Sequence, residues 1–188
     1  MAGNLESITA FGGATDKVST SRGTDRVKII EPDGLEAFSH WQHRDVFYDV
    51  LNELRDYQSL GHAVCLVGLR RTGKTVVLNQ LHWESEKFGI KQDEILHLTL
   101  GVTIDGKPGT RNDLDVNKLE KSKVEYPACR EVEDVIFAEK QKRRIKCILI
   151  DEITLCPDLI LAGKGFVDWI VDSGILLVFA GTENCHLI

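Results

Sequence analysis

Residues 68–75 read GLRRTGKT, with glycines at the first and sixth positions followed by a lysine and a threonine. Glycines let backbone N–H groups approach phosphate oxygens closely, and the positive end of a following helix adds to the attraction. A lysine at this position can reach the β- and γ-phosphates of a nucleotide, and the threonine hydroxyl can ligate Mg²⁺. The spacing therefore predicts a phosphate-binding loop of the Walker A type. Its expected contact residues are Gly68, Leu69, Arg70, Arg71, Thr72, Gly73, Lys74, Thr75 and Val76.

Two carboxylates, Asp151 and Glu152, come directly after the apolar run 147–150. A carboxylate at the end of a buried strand is costly unless a cation accompanies it. In a sheet beside the phosphate-binding loop, Asp151 is expected to hold Mg²⁺ together with Thr75. Glu152 is then placed to polarise an attacking water as a general base. Lys74 and Glu152 are the resulting candidates for catalysis.

Polar residues also end the apolar run 175–179, where the chain continues as Ala180, Gly181, Thr182, Glu183 and Asn184. Adjacent strand ends in a parallel sheet open onto the ligand crevice. A hydroxyl or amide there could orient the hydrolytic water, which makes Thr182 a third candidate for catalysis. A solvated turn explains the same residues equally well.

Apolar runs and helical periodicities alternate along the chain, and these elements must position the candidate residues. Four unbroken apolar runs predict strands, which cover residues 63–67, 95–100, 148–150 and 175–179. Apolar residues at three- and four-residue steps predict helices over 44–57, from 73 or 74 to 87, around 132–138 and over 166–171. This alternation predicts an α/β fold with a parallel sheet. Residues 101–126 show no pattern that organises them.

The composition is that of a globular protein, with 43% hydrophobic and 28% charged residues. Residues 1–27 are polar and glycine-containing, so we expect a flexible tail there and one core domain over 28–188. A net charge of −6 does not indicate nucleic acid as the main partner, although a local basic patch would be compatible with it. The cluster Lys140–Lys146 is better explained as a solvated helix end.

The expected location is cytoplasmic, without membrane contact. No run approaches the roughly 18 apolar residues of a membrane span. The polar N-terminal residues lack the apolar core of a signal peptide. Five cysteines without a CxxC pair fit a reducing compartment.

Three segments together resemble the AAA-related P-loop ATPases of bacteria and archaea: GLRRTGKT at 68–75, ILIDEIT at 148–154 and VFAGTEN at 178–184. Residues 44–51, RDVFYDVL, are similar to the arginine–acid segment that precedes the P-loop in that group and packs near the adenine. The resemblance covers about residues 40–184. It implies ATP rather than GTP and a sensor residue near Thr182 or Asn184.

The same resemblance implies a three-layer P-loop NTPase of the additional-strand, catalytic-glutamate class, with strand order 5-1-4-3-2. In that group the pattern continues past the fourth strand with a fifth strand, an arginine finger and a lid or effector domain. The sequence ends at Ile188. A core without strand 5 is therefore expected.

The sequence favours a domain that binds Mg-ATP and, in its full-length context, hydrolyses it to drive an effector protein or a homo-oligomer. A nucleotide-gated interaction module without significant hydrolysis is the alternative. A small-molecule kinase is a weaker third hypothesis, because the Asp151–Glu152 pair suits activation of water rather than transfer to a second substrate, and the sequence shows no arginine-rich lid.

Overall fold

The computed structural model describes residues 20–56, 62–110, 113–114, 122–161 and 163–182. Strands and α-helices are numbered here in chain order. They are β1 (Thr20–Gly23), β2 (Val27–Ile30), α1 (Asp45–Asp56), β3 (His62–Gly68), α2 (Lys74–Trp83), β4 (Ile95–Leu100), β5 (Val102–Ile104), β6 (Lys107–Gly109), β7 (Val124–Glu125), α3 (Cys129–Lys142), β8 (Cys147–Asp151), α4 (Pro157–Leu161), α5 (Gly163–Asp172) and β9 (Leu176–Thr182).

The main sheet has the strand order β1-β2-β4-β8-β9-β3. Its pairs β4–β8, β8–β9 and β9–β3 are parallel, whereas β2 runs antiparallel to β4 and β1 antiparallel to β2. The α/β fold with a mainly parallel sheet, expected from the sequence, is confirmed. The four parallel strands are β3, β4, β8 and β9, and they can be numbered 1 to 4 in chain order. In the sheet they lie in the order 1-4-3-2, which agrees with the expected order 5-1-4-3-2 apart from strand 5. The described residues contain no fifth parallel strand in this sheet.

Apolar side chains cover both faces of this sheet, which explains why its central strands are unbroken apolar runs. Along β8, Ile148 and Ile150 face a cluster formed with α3, α4 and α5, while Cys147 and Leu149 face a cluster formed with α1 and α2. Alternate residues of one strand thus pack into two different helical layers. The result is a three-layer sandwich that holds β8 and its terminal Asp151 at the centre.

The sheet begins earlier in the chain than the sequence pattern predicts. Strands β1 and β2 add an antiparallel edge, and Val27, the last residue of the expected tail, is fully buried. The segment VKII is too short to stand out as an apolar run, but its pairing with β4 places it in the core. Residues 1–19 of that tail lie outside the described ranges.

The segment 101–126, which carries no sequence pattern, contains a small antiparallel sheet of order β6-β5-β7. Helix α2 ends at Trp83 rather than near residue 87, and a 3-10 turn over Ser85–Phe88 follows it. In the described part of the chain, no helix has the length and apolarity that crossing a bilayer requires.

Candidate nucleotide-binding site

The loop between β3 and α2 is shaped by two residues with left-handed backbone. Gly73, with φ of 88°, caps the start of α2, and its carbonyl accepts the N–H of Val77 at 3.0 Å. Arg71 has a φ of 62°, a conformation that is uncommon for a residue with a side chain. Within the loop, the Thr72 hydroxyl donates to the Leu69 carbonyl at 2.9 Å. These turns bring the N-terminus of α2, with its unpaired N–H groups, to face the loop.

Lys74 lies across this loop. Its Nζ donates to the carbonyl oxygens of Gly68 and Leu69, both at 2.8 Å. The side chain is half-buried and sits at the positive end of α2. The ammonium is therefore held among the loop's own backbone groups.

Thr75 and Asp151 meet although they are 76 residues apart in the chain. The Thr75 hydroxyl donates to Asp151 Oδ2 at 2.6 Å. Asp151 ends β8 and is only 4% exposed. Burial raises the pKa of its carboxyl to about 6, although the hydrogen bond from Thr75 acts in the opposite direction.

Glu152 is the first residue after β8 and has a left-handed backbone with φ of 56°. Its N–H donates to Asp151 Oδ1 at 2.9 Å, and its side chain is partly exposed. A left-handed conformation costs a residue with a side chain on the order of 1–3 kcal/mol, and such costs cluster at functional sites. This turn directs the chain out of the sheet and into a 3-10 turn over Ile153–Leu155.

Thr182, the last residue of β9, pairs in register with Gly68 and is buried. The third sequence candidate therefore lies at the strand end beside the start of the loop. Glu183 and Asn184, the other residues considered there, are outside the described ranges.

The remaining loop candidates differ in their surroundings. Leu69, Arg70, Arg71 and Thr72 are exposed, whereas the Val76 side chain packs against a small cluster formed by Ile30, Leu35 and Phe38. Beside the loop, a cavity of about 250 Å³ is lined by Arg70, Leu114, Tyr126, Thr154 and Leu155.

The donor atoms fit Mg²⁺. A hydroxyl oxygen and a carboxylate oxygen lie 2.6 Å apart at the edge of the phosphate-binding loop. Both are hard oxygen donors of the kind that Mg²⁺ prefers, and a buried carboxylate is stabilised by a cation. Thr75 and Asp151 are the residues that would hold this ion.

Arg44 contacts the loop and is absent from the sequence candidates. Its Nη1 donates to the Thr72 carbonyl at 2.6 Å. The resemblance placed the segment 44–51 near the adenine, but no local spacing connects Arg44 with a carbonyl 28 residues further along the chain.

Comparison with solved structures finds several similar chains. The C. elegans PCH-2 structure has a TM-score of 0.51 and 13% identity, and the match covers 90% of this chain and 46% of that one. A DNA replication initiation factor matches with a TM-score of 0.45 and 14% identity, over 78% of this chain and 41% of that one. The replication initiator DnaA bound to AMPPCP and single-stranded DNA has a TM-score of 0.37 and 15% identity, over 79% and 41%. The chain thus spans less than half the length of each of these structures.

A comparison with curated proteins found no match. The AAA domain family, in contrast, matches residues 61–187, which is more than half of the 188-residue chain. That range contains the loop 68–75, the Asp151–Glu152 pair and Thr182, and family membership supports nucleotide binding by this loop. The chain belongs to the AAA domain family of P-loop ATPases.

Proposed function

We propose that this domain binds Mg-ATP in the loop 68–75 and that the full-length protein hydrolyses it. The observation that carries the proposal is the 2.6 Å hydrogen bond from Thr75 to Asp151. It joins the end of the phosphate-binding loop to the carboxylate that ends the central strand. In a nucleotide site of this class, the metal-binding oxygens must converge at this point.

Each candidate residue has a role in this proposal. Backbone N–H groups of the loop and the N-terminus of α2 bind the phosphates, and Lys74 stabilises the negative charge that develops during transfer. Thr75 and Asp151 hold Mg²⁺, which when bound neutralises charge on the phosphate oxygens. Glu152 accepts a proton from the attacking water, and Thr182 helps to orient that water. We expect ATP rather than GTP as the nucleotide, because the sequence resembles AAA-related ATPases.

We further propose that nucleotide state is coupled to an effector protein or to assembly of a homo-oligomer. The resemblance to AAA-related ATPases, which implies a lid or effector domain beyond the core, supports this coupling. A domain that only switches partner affinity on binding nucleotide is the competing function.

The test is a titration of ATP, ADP and GTP with Mg²⁺ onto the 188-residue chain, followed by measurement of phosphate release. Lys74→Ala should abolish detectable binding, because the loop then lacks its charged contact to the phosphates. Lys164→Ala changes an exposed lysine of α5 and serves as the matched control. Unchanged ATP binding by Lys74→Ala would refute the assignment. Binding without phosphate release would favour the switching function for this chain.

A further inference from the structure

Arg44 projects from a fixed point of the fold. It directly precedes α1, and its carbonyl accepts the N–H of Phe47 at 2.9 Å. Helix α1 is anchored in turn by Phe47, Val50, Leu51 and Leu54, which are all buried in the cluster shared with α2. The backbone of Arg44 is therefore held by the core, and only its side chain has freedom to move.

The guanidinium of Arg44 lies against the turn that starts α2. Its Nη1 donates to the Thr72 carbonyl at 2.6 Å. A Cβ built on Gly73 would lie 3.3 Å from Arg44 Cζ and 3.4 Å from Nε. The arginine thus packs on the Thr72–Gly73 peptide itself and occupies the space that a side chain at position 73 would need.

This contact sets the direction of one N–H group. The described part of the chain has no cis peptide bond, and in a planar trans peptide the C=O and N–H point in opposite directions. A Thr72 carbonyl held towards Arg44 therefore directs the Gly73 N–H away from Arg44. Gly73 is the N-cap of α2, so its N–H belongs to the group of donors that a helix start offers to an anion.

We propose that Arg44 is a positioning residue for phosphate binding, which fixes the Thr72–Gly73 peptide so that the Gly73 N–H is presented to the nucleotide phosphates. The inference rests on the proposed function, since it needs a loop that binds phosphate. This positioning role can be distinguished from a contact with the adenine base. An arginine that positions the Thr72–Gly73 peptide affects the binding of every ligand whose phosphates use the loop, whereas a contact with the base affects only ligands that have a base.

Two ligands separate these roles: Mg-ATP and inorganic tripolyphosphate with Mg²⁺, which has no base. Arg44→Gln should weaken the binding of both by the same factor, roughly tenfold, as expected for loss of a charge-assisted hydrogen bond. Arg44→Lys should restore part of the affinity for both ligands. Arg55→Gln is the matched control, because Arg55 lies at the other end of α1 and also donates to a backbone carbonyl, that of Lys87 at 2.7 Å. It should bind both ligands as the unmodified chain does.

Loss of ATP affinity alone would show that Arg44 contacts the base and would overturn the inference. Unchanged affinity for both ligands in Arg44→Gln would overturn it as well. If the unmodified chain binds neither ligand, the proposed function itself fails, and the inference fails with it. The Lys74→Ala variant, measured alongside, identifies the binding that depends on the loop.

A measurement without ligand tests the same contact. The NMR order parameter of the Gly73 amide should be lower in Arg44→Gln than in the unmodified chain or in Arg55→Gln, because the Thr72–Gly73 peptide is no longer held. Thermal unfolding identifies any variant that fails to fold, in which case the milder Arg44→Lys supplies the comparison. An unchanged order parameter at Gly73 in a folded Arg44 variant would contradict the positioning role.

Discussion

At the scale of single residues, the neighbouring carboxylates Asp151 and Glu152 have different surroundings. Asp151 is buried, accepts the Thr75 hydroxyl and accepts the N–H of Glu152. Glu152 is partly exposed and stands on a strained backbone turn. A buried, hydrogen-bonded carboxylate suits a metal ligand, whereas a carboxylate turned out of the strand end can meet water. The two residues can therefore have separate tasks although they are adjacent.

The task of Glu152 is tested by Glu152→Gln. The amide keeps the size of the side chain but cannot accept the proton of the attacking water. We expect Mg-ATP affinity to stay within about twofold and single-turnover phosphate release to fall by roughly 10²–10⁴-fold. Glu86→Gln, at an exposed position after α2, is the control. Equal release by the Glu152 variant and the control would exclude a general-base role.

The task of Thr75 is tested by two substitutions of its hydroxyl group. Thr75→Val removes the donor to Asp151 at nearly constant volume, whereas Thr75→Ser keeps it. The Thr75 hydroxyl is the proposed Mg²⁺ ligand, so Thr75→Val should bind Mg-ATP roughly 10–100-fold more weakly, as is typical when a residue that supports a metal site is replaced. Binding of metal-free ATP should change little in either variant. Similar Mg²⁺ dependence of ATP affinity in the two variants would argue against a metal role for this hydroxyl.

At the scale of elements, α2 and β4 are joined by a pair of buried histidines. The rings of His82 and His97 meet edge to face with centroids 5.5 Å apart. Burial lowers the pKa of His82 from 6.5 to about 4, and burial also lowers the pKa of His97 well below its usual value. Both rings are therefore neutral in the folded protein at neutral pH.

These histidines make the packing of α2 on β4 sensitive to acid. Because the folded pKa of His82 lies below the unfolded one, the unfolded chain takes up its proton first as the pH falls. The contribution of neutral His82 to the free energy of unfolding is therefore fully present above pH 6.5 and is lost progressively as the pH falls towards 4. Between pH 7 and pH 5 the loss from His82 is about 2 kcal/mol. We expect His82→Leu to reduce the change in unfolding free energy between these pH values by that amount, as measured by urea denaturation. The exposed His40→Leu serves as control, and a pH dependence unchanged by His82→Leu would contradict the prediction.

The elements that the sequence predicts well are those whose signal is local. Strand β4 has the bounds that its apolar run predicts, residues 95–100. The strands β5, β6 and β7 have only two or three residues each, and Lys107 and Pro108 are exposed, so no periodicity marks them. Their pairing depends on a contact across the segment, between Thr103 and Glu125.

The same distinction holds for the candidate site. The glycine, lysine and threonine spacing of residues 68–75 is local, and the structure brings this loop to the strand ends at Asp151 and Thr182. Arg44 reaches Thr72 only because α1 packs on α2 through apolar side chains. A contact made by tertiary packing between distant segments has no signature in the spacing of either segment.

At the scale of the whole molecule, Arg26 connects three parts of the fold. It lies between β1 and β2, and its guanidinium pairs with Glu131 of α3 at 2.5 Å and with Glu125 of β7 at 3.4 Å. Glu125 also accepts the Thr103 hydroxyl of β5 at 3.2 Å. The N-terminal edge, the small sheet and one helical layer are therefore linked through one side chain, in a segment that the sequence pattern assigns to a tail.

We accordingly propose that the core begins at residue 20 rather than at residue 28. Two chains test this boundary, one starting at residue 20 and the other at residue 28, since both lack residues 1–19 and differ only in the segment 20–27. The shorter chain loses β1, Arg26 and the fully buried Val27. Burial of a valine side chain contributes about 1.5–3 kcal/mol, and partly exposed ion pairs add up to about 1 kcal/mol.

The chain starting at residue 28 should therefore unfold with a free energy about 2–4 kcal/mol below that of the chain starting at residue 20, as measured by urea denaturation. Arg26→Gln in the longer chain separates the two contributions, because it removes the ion pairs and keeps Val27. It should account for only about 1 kcal/mol of the difference. If both chains were equally stable, the β1–β2 edge would contribute nothing to the core, and the boundary at residue 28 would stand. A loss in Arg26→Gln as large as the loss in the shorter chain would instead assign the stability to the ionic link of Arg26 with the small sheet and α3.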